Sequence, residues 1–210
     1  RATALAGLLA DTSFTRSGSA DARLAADSRT ALLRAMSTTT NADRFTLLVD
    51  LARNDNLASL RSDNERSVID LVIARPELAT EVTALISSAE FLQPGSTALT
   101  GTALHDAQRA ILGVLSGNPA ITAEGIQAMR ETMATSDPPS AFMGLSAPHQ
   151  ATVLRMISRD WTHAAAIRGM LSGYAGIPAT PPAERDAYIQ TVGAATPTML
   201  ADFATLAPRL

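Results

Sequence analysis

The chain has 210 residues, of which 46% are hydrophobic, and a formal net charge of -3 at pH 7. Its 17 basic residues are all arginine, and the sequence contains no lysine and no cysteine. The composition therefore excludes a P-loop lysine, a lysine Schiff base, a thiol nucleophile, a disulfide bond and a thiolate metal site.

Charge and hydropathy also narrow the class of partner. Binding to phosphate backbones needs a clustered basic field, whereas this chain is weakly acidic and its arginines are scattered, so we expect no nucleic-acid partner. The longest apolar runs, Ala2–Ala10 and residues 68–74, are shorter than the roughly 20 residues that span a bilayer, and no membrane span is predicted.

The absence of lysine has two interpretations. A GC-rich genome that favours arginine codons would produce it. A sharper hypothesis is a secreted bacterial effector or toxin that acts in a host cell, because lysine is the acceptor of ubiquitin. Since the chain starts at Arg1 without a methionine, we interpret it as a segment of a longer protein whose localisation stays open.

Residues 1–60 are predicted to form N-terminal helices, because apolar residues recur at spacings of three and four. The two main helices are expected over residues 21–36 and 42–60. In the second, Phe45, Leu48, Leu51 and Ala52 share one face, and the sequence Asn54-Asp55-Asn56 is expected to break it.

Residues 61–210 are predicted to form four hairpin-like units, each with an apolar helix, a break and a second apolar helix. The breaks fall at Pro76, Pro119, Trp161 and Pro197. The first unit opens with Ser62-Asp63-Asn64-Glu65, which has the form of a capping box. These signals predict successive antiparallel hairpins.

A helical stripe follows each break at similar positions. Its predicted members are Leu78, Val82 and Leu85 in the first unit, Ile121, Ile126 and Met129 in the second, His163, Ile167 and Met170 in the third, and Met199, Phe203 and Leu206 in the fourth. The spacing of the first three units matches the period of about 40 to 47 residues of helical-hairpin solenoids. We therefore expect a single all-α domain over 1–210, either a short helical-repeat stack or an irregular multi-helix bundle.

Local motifs give no candidate catalytic residue, metal ligand or cofactor site. The three histidines have no HExxH context, and the carboxylate pairs look like first-turn acids that complement helix dipoles. Asp160 and His163 stand three residues apart on one helical face, where a base or metal pair is conceivable. We expect Asp160 to cap a helix instead and His163 to pack in the core.

The candidate partner-binding residues lie around the third break. Trp161 stands there, with Arg155, Arg159 and Arg168 on the adjoining helices and with Tyr174 and Ile177 in or near a loop over residues 173–182. Aromatic and arginine side chains are enriched at protein interfaces. Alternatively, Trp161 fills the space between two hairpins in the core.

Three functions remain open at this point. The first is a protein-protein interaction module. If the chain is an effector, its partner is expected to be a protein of the host. The second is an enzyme or regulatory switch on a helical scaffold, for example one that acts on a nucleotide-binding partner through an arginine. The third is a structural self-assembly subunit, and the sequence leaves the oligomeric state open.

Overall fold

The computed structural model describes residues 1–11, 14, 24–94, 99–134, 142, 145, 147–175, 184 and 187, without the side chains of residues 147, 170 and 172–175. Every regular element in these residues is a helix, and they contain no strand. The prediction of an all-α chain is therefore confirmed.

The chain divides into two compact units, Arg1–Ser87 and Ser88–Leu210. The division follows the first predicted hairpin and does not coincide with the expected boundary after residue 60. A single domain over residues 1–210 stays a prediction.

The N-terminal unit contains six α-helices and one 3₁₀ turn among its described residues. They are α1 (Ala2–Ala10), α2 (Ala26–Thr38), α3 (Ala42–Ala52), α4 (Asp55–Ala58), α5 (Ser62–Ala74), the 3₁₀ turn Pro76–Leu78, and α6 (Ala79–Ile86). Helix α2 packs on α3 and α5, while α1 packs on α3. The core includes Leu8, Leu32, Phe45, Leu48, Val68, Ile69, Val72, Leu78, Val82 and Leu85.

The C-terminal unit contains five described α-helices and a second 3₁₀ turn. They are α7 (Ala89–Leu92), α8 (Gly101–Ser116), α9 (Ala123–Ala134), α10 (Ala147–Arg159), the 3₁₀ turn Trp161–His163, and α11 (Ala164–Ala175). Helix α10 packs on α8, α9 and α11. The core includes Phe91, Ile111, Leu115, Ile121, Ile126, Met129, Leu154, Ile157 and Ile167.

The helices break where the sequence predicts the first three breaks. Helix α5 ends before Pro76, α8 ends before Pro119, and α10 ends before Trp161. The side-chain oxygen of Asn54 accepts a hydrogen bond from Leu57 N, which confirms the predicted interruption after α3. The fourth break at Pro197, and the stripe Met199, Phe203 and Leu206 behind it, lie outside the described residues.

The structure buries the predicted helical stripe at each position where the side chain is described and is aliphatic. Leu78, Val82 and Leu85 are buried in the first unit, and Ile121, Ile126 and Met129 in the second. Ile167 is buried in the third, where His163 is half-buried and the side chain of Met170 is not described. The spacing of apolar residues therefore identified the core faces of α6, α9 and α11.

The predicted capping box at the start of α5 is wrong. Ser62 is itself the first helical residue, and Arg61 before it provides no side-chain cap. Glu65 is buried, and its Oε1 accepts a hydrogen bond from Ala25 N at 3.0 Å, at the start of α2. Glu65 therefore caps a neighbouring helix, and burial raises the pKa of its carboxyl despite that hydrogen bond.

Candidate functional site

A groove in the C-terminal unit lies between α9 and the segment that runs from the 3₁₀ turn Trp161–His163 into α11. One wall consists of Glu124, Gln127, Ala128 and Glu131, which share one face of α9. Trp161, Ala165 and Arg168 line the opposite wall. We call this cavity, of about 300 Å³, the Trp161 groove.

Asp160 fixes the turn that carries Trp161. Its carboxylate accepts a hydrogen bond from Thr162 N at 3.2 Å and lies 2.9 Å from His163 Nδ1 through its other oxygen. A further hydrogen bond from the Thr162 hydroxyl is the main cause that lowers the pKa of Asp160, and the charge of His163 acts in the same direction. The predicted capping role of Asp160 is confirmed, whereas His163 is half-buried and contacts this turn, so the expected packing of His163 in the core is not confirmed.

Trp161 projects from that turn with 43% of its surface exposed. Apart from Leu9 at 48%, it is the one large hydrophobic residue that is exposed in the described part of the chain. Its ring lies over α9, since a Cβ placed at Gly125 would be 4.0 Å from Trp161 Cδ1. An indole held at one edge and open at the other can receive an apolar side chain from another molecule.

Arg168 adds a positively charged guanidinium group to the same groove. Its Nη1 is buried and lies 3.5 Å from Glu131 Oε2, but it makes no hydrogen bond there or to any other described residue. The other oxygen of Glu131 accepts a hydrogen bond from Gln127 Nε2 at 2.9 Å. Nη1 itself is out of reach of a partner, but the side chain of Arg168 is partly exposed, and its positive charge favours an incoming carboxylate or carbonyl oxygen at the groove.

The structure separates the predicted partner-binding residues into two groups and leaves two outside the described parts. Trp161 and Arg168 line one groove. Arg155 and Arg159 are exposed on α10 and do not line it, and Arg155 Nε donates to Ala151 O within its own helix. Tyr174 belongs to α11 by its backbone, but its side chain and all of Ile177 lie outside the described residues.

Sequence reasoning missed the polar wall of the Trp161 groove. Glu124, Gln127 and Glu131 are spaced three and four residues apart, which is a signal for one helix face. That spacing does not say which element the face meets, and no local signal pairs it with Trp161. Their placement opposite the tryptophan follows from the packing of α9 against α11.

The described residues show no arrangement for metal chemistry and no membrane helix. No three histidine or carboxylate side chains within them are grouped so as to hold a metal ion. None of the described helices is both long and apolar enough to cross a bilayer. The site is therefore characterised by its aromatic, arginine and carboxylate groups.

Comparisons with known proteins found no relative. No protein-family model, no curated protein and no solved structure matches this chain.

Proposed function

We propose that this chain is a protein-protein interaction module and that the Trp161 groove binds a segment of its partner. The observation that carries the proposal is the exposed indole of Trp161 on a turn that Asp160 holds in place. Tryptophan at the centre of an interface contributes more binding energy than most residues, because its large surface is desolvated on binding. A fixed side chain also loses little entropy when it binds.

The groove also indicates what the partner segment carries. An apolar side chain would pack on the indole of Trp161, and a carbonyl or carboxylate oxygen would be attracted by the positive charge of Arg168. Main-chain carbonyls and carboxylates of a peptide supply such acceptors. We infer that the groove binds an extended or loop segment that presents both groups side by side.

Two further elements of the proposal concern the chain as a whole. The successive hairpins, as a short stack or an irregular bundle, would present this groove on a rigid helical scaffold. The absence of lysine favours a bacterial effector that acts on a host protein, since such a chain offers no side-chain acceptor for ubiquitin. A partner found in a eukaryotic lysate would be a host protein, and a partner found in a bacterial lysate would be a bacterial protein.

The proposal is tested by affinity capture with variants of the full chain. The wild type, Trp161→Ala and Leu9→Ala are immobilised, exposed to bacterial and eukaryotic lysates, and their bound proteins are quantified by mass spectrometry. Leu9 is the matched control because it is as exposed as Trp161 but lies in α1. We expect a specific protein whose recovery falls about tenfold or more with Trp161→Ala and is unchanged with Leu9→Ala.

A second pair of variants tests the role of Arg168 in the same capture. Arg168→Gln removes the positive charge in the groove, whereas Arg155→Gln removes an exposed arginine outside it. We expect the captured protein to be lost with Arg168→Gln and retained with Arg155→Gln. If every captured protein binds all four variants equally, the Trp161 groove is not the binding site.

A further inference from the structure

A second groove lies in the N-terminal unit and is independent of the Trp161 groove. One wall is the face of α3 that carries Asp43, Leu47 and Asp50, and the other wall includes Ala79 at the start of α6. Val72 of α5 contributes to its floor. We call this cavity, of about 490 Å³, the α3 groove.

The rim of the α3 groove carries negative charge that nothing described in the chain neutralises. Asp43 and Asp50 are both exposed, and neither carboxylate forms an ion pair or a hydrogen bond with a described residue. No arginine is among the described residues that line the groove. The two carboxylates are seven residues apart on one helix face, which corresponds to a separation of about 10.5 Å along the axis.

The position of Asp50 is unfavourable for the stability of α3. Asp50 lies in the last turn of the helix, where the dipole disfavours an anion, and the basic residue at that end is the C-cap, Arg53, which follows the last turn. Asp43, by contrast, lies in the first turn, where an anion is favourable. A carboxylate at an unfavourable end of its helix that has no partner among the described residues is suited to bind a cation from another molecule.

The floor of the same groove is apolar. Leu47 is half-buried, while Leu51, Val72 and Ala79 are buried beneath it. The α3 residues that line the groove recur at intervals of three and four from Asp43 to Leu51, which is the spacing of a helix face that meets another helix. At 1.5 Å per residue this face is about 12 Å long, or just over two helical turns.

We propose that the α3 groove binds an amphipathic helix of a partner protein that carries two basic residues seven positions apart. Those residues pair with Asp43 and Asp50, and apolar residues between them lie over Leu47. Helix-in-groove binding of this kind uses side chains at intervals of three, four and seven residues. This surface goes beyond the proposed function of the Trp161 groove, because it lies on other helices and selects a partner by charge.

The probe is a synthetic helical peptide with arginine at two positions seven residues apart and leucine and alanine on the same face between them. A second peptide has glutamine at both arginine positions. Their affinities for the full chain are measured by fluorescence anisotropy. We expect saturable binding of the arginine peptide that weakens with added salt, and affinity about tenfold lower for the glutamine peptide.

Variants of the chain locate the site of binding. Asp43→Asn and Asp50→Asn are each expected to lower the affinity for the arginine peptide by about twofold to fivefold. The double variant is expected to lower it by about tenfold. Asp27→Asn is the matched control, since Asp27 is an exposed first-turn acid of α2 that does not line the groove. It should leave the affinity unchanged.

Thermal unfolding separates a binding role of Asp50 from a structural one. Asp50→Asn should leave the unfolding midpoint unchanged or raise it, because it removes an anion from the end of α3. A lower midpoint would mean that Asp50 supports the fold. The proposal is also overturned if the double variant binds as the wild type does, if Asp27→Asn weakens binding equally, or if a dimer of the chain that depends on Asp50 excludes the peptide.

Discussion

Trp161 is an exposed residue whose position is determined by its polar neighbours. Asp160 closes the 3₁₀ turn through Thr162 and His163, and the indole therefore projects from a fixed backbone. A tryptophan in the core would be buried, whereas 43% of the surface of Trp161 is exposed. Since the turn is held by charge-assisted contacts, its stability depends on the ionisation of Asp160.

The first prediction concerns Asp160→Ala and its dependence on pH. The pKa of Asp160 is lowered in the folded chain, so its stabilising contribution is present above the unfolded pKa of about 3.9 and is lost as pH falls through the folded value. At pH 7 the variant should lose about 0.5 to 2 kcal/mol of unfolding free energy, as for other helix caps. Urea unfolding of the wild type and the variant at pH 7 and at pH 2.5 measures this loss.

The stability lost in the variant should be smaller at the lower pH, because protonated Asp160 keeps a capping oxygen but no longer carries a charge. A loss of the same size at both pH values would mean that the carboxylate charge does not hold the turn. The alanine variant is compared with Asp160→Asn, which keeps a capping oxygen without the charge. At pH 7 the unfolding free energy of the asparagine variant should lie between those of the wild type and the alanine variant.

At the scale of the helices, the fold depends on aliphatic residues that face the core of each unit. Ile69 on α5 and Leu154 on α10 are both fully buried. They stand seven residues before Pro76 and Trp161, at equivalent places in the predicted units. Truncation at either position removes packing that the surrounding helices cannot fully replace.

We therefore predict that Ile69→Ala and Leu154→Ala each lower the unfolding free energy by about 2 to 5 kcal/mol. Denaturant unfolding of the full chain, followed by circular dichroism, measures both losses. Leu9→Ala serves as the control, because Leu9 is exposed, and its loss should be within about 0.5 kcal/mol. Losses below about 0.5 kcal/mol at both core positions would contradict the proposed register.

The same elements show what the sequence could predict. The helices, three of the breaks and the buried stripe followed from local signals, namely apolar spacing, prolines and the asparagine cap at Asn54. Glu65 was misassigned because its partner, Ala25, is 40 residues away in the chain. The groove walls were missed for the same reason: a polar helix face is visible in the sequence, but the element across from it is set by tertiary packing.

For the whole molecule, each of the two units carries a groove with its own chemistry. The Trp161 groove offers an indole and a partly exposed arginine, and the α3 groove offers two carboxylates above an apolar floor. Both sets of groups are suited to side chains and main-chain atoms of another protein. Two such grooves on one all-helical chain favour an interaction module over a self-contained reaction site.

Site-specific photocrosslinking beside Trp161 tests the central claim most directly. A benzophenone amino acid replaces Ala165, an exposed residue of the Trp161 groove, in one protein and Leu9 in another, and each is irradiated in bacterial and eukaryotic lysates. We predict a discrete adduct with one partner protein at position 165 and none at position 9. Equal adducts at both positions, no adduct at 165, or an adduct only with a second copy of the chain would contradict the assignment of the Trp161 groove to a partner protein.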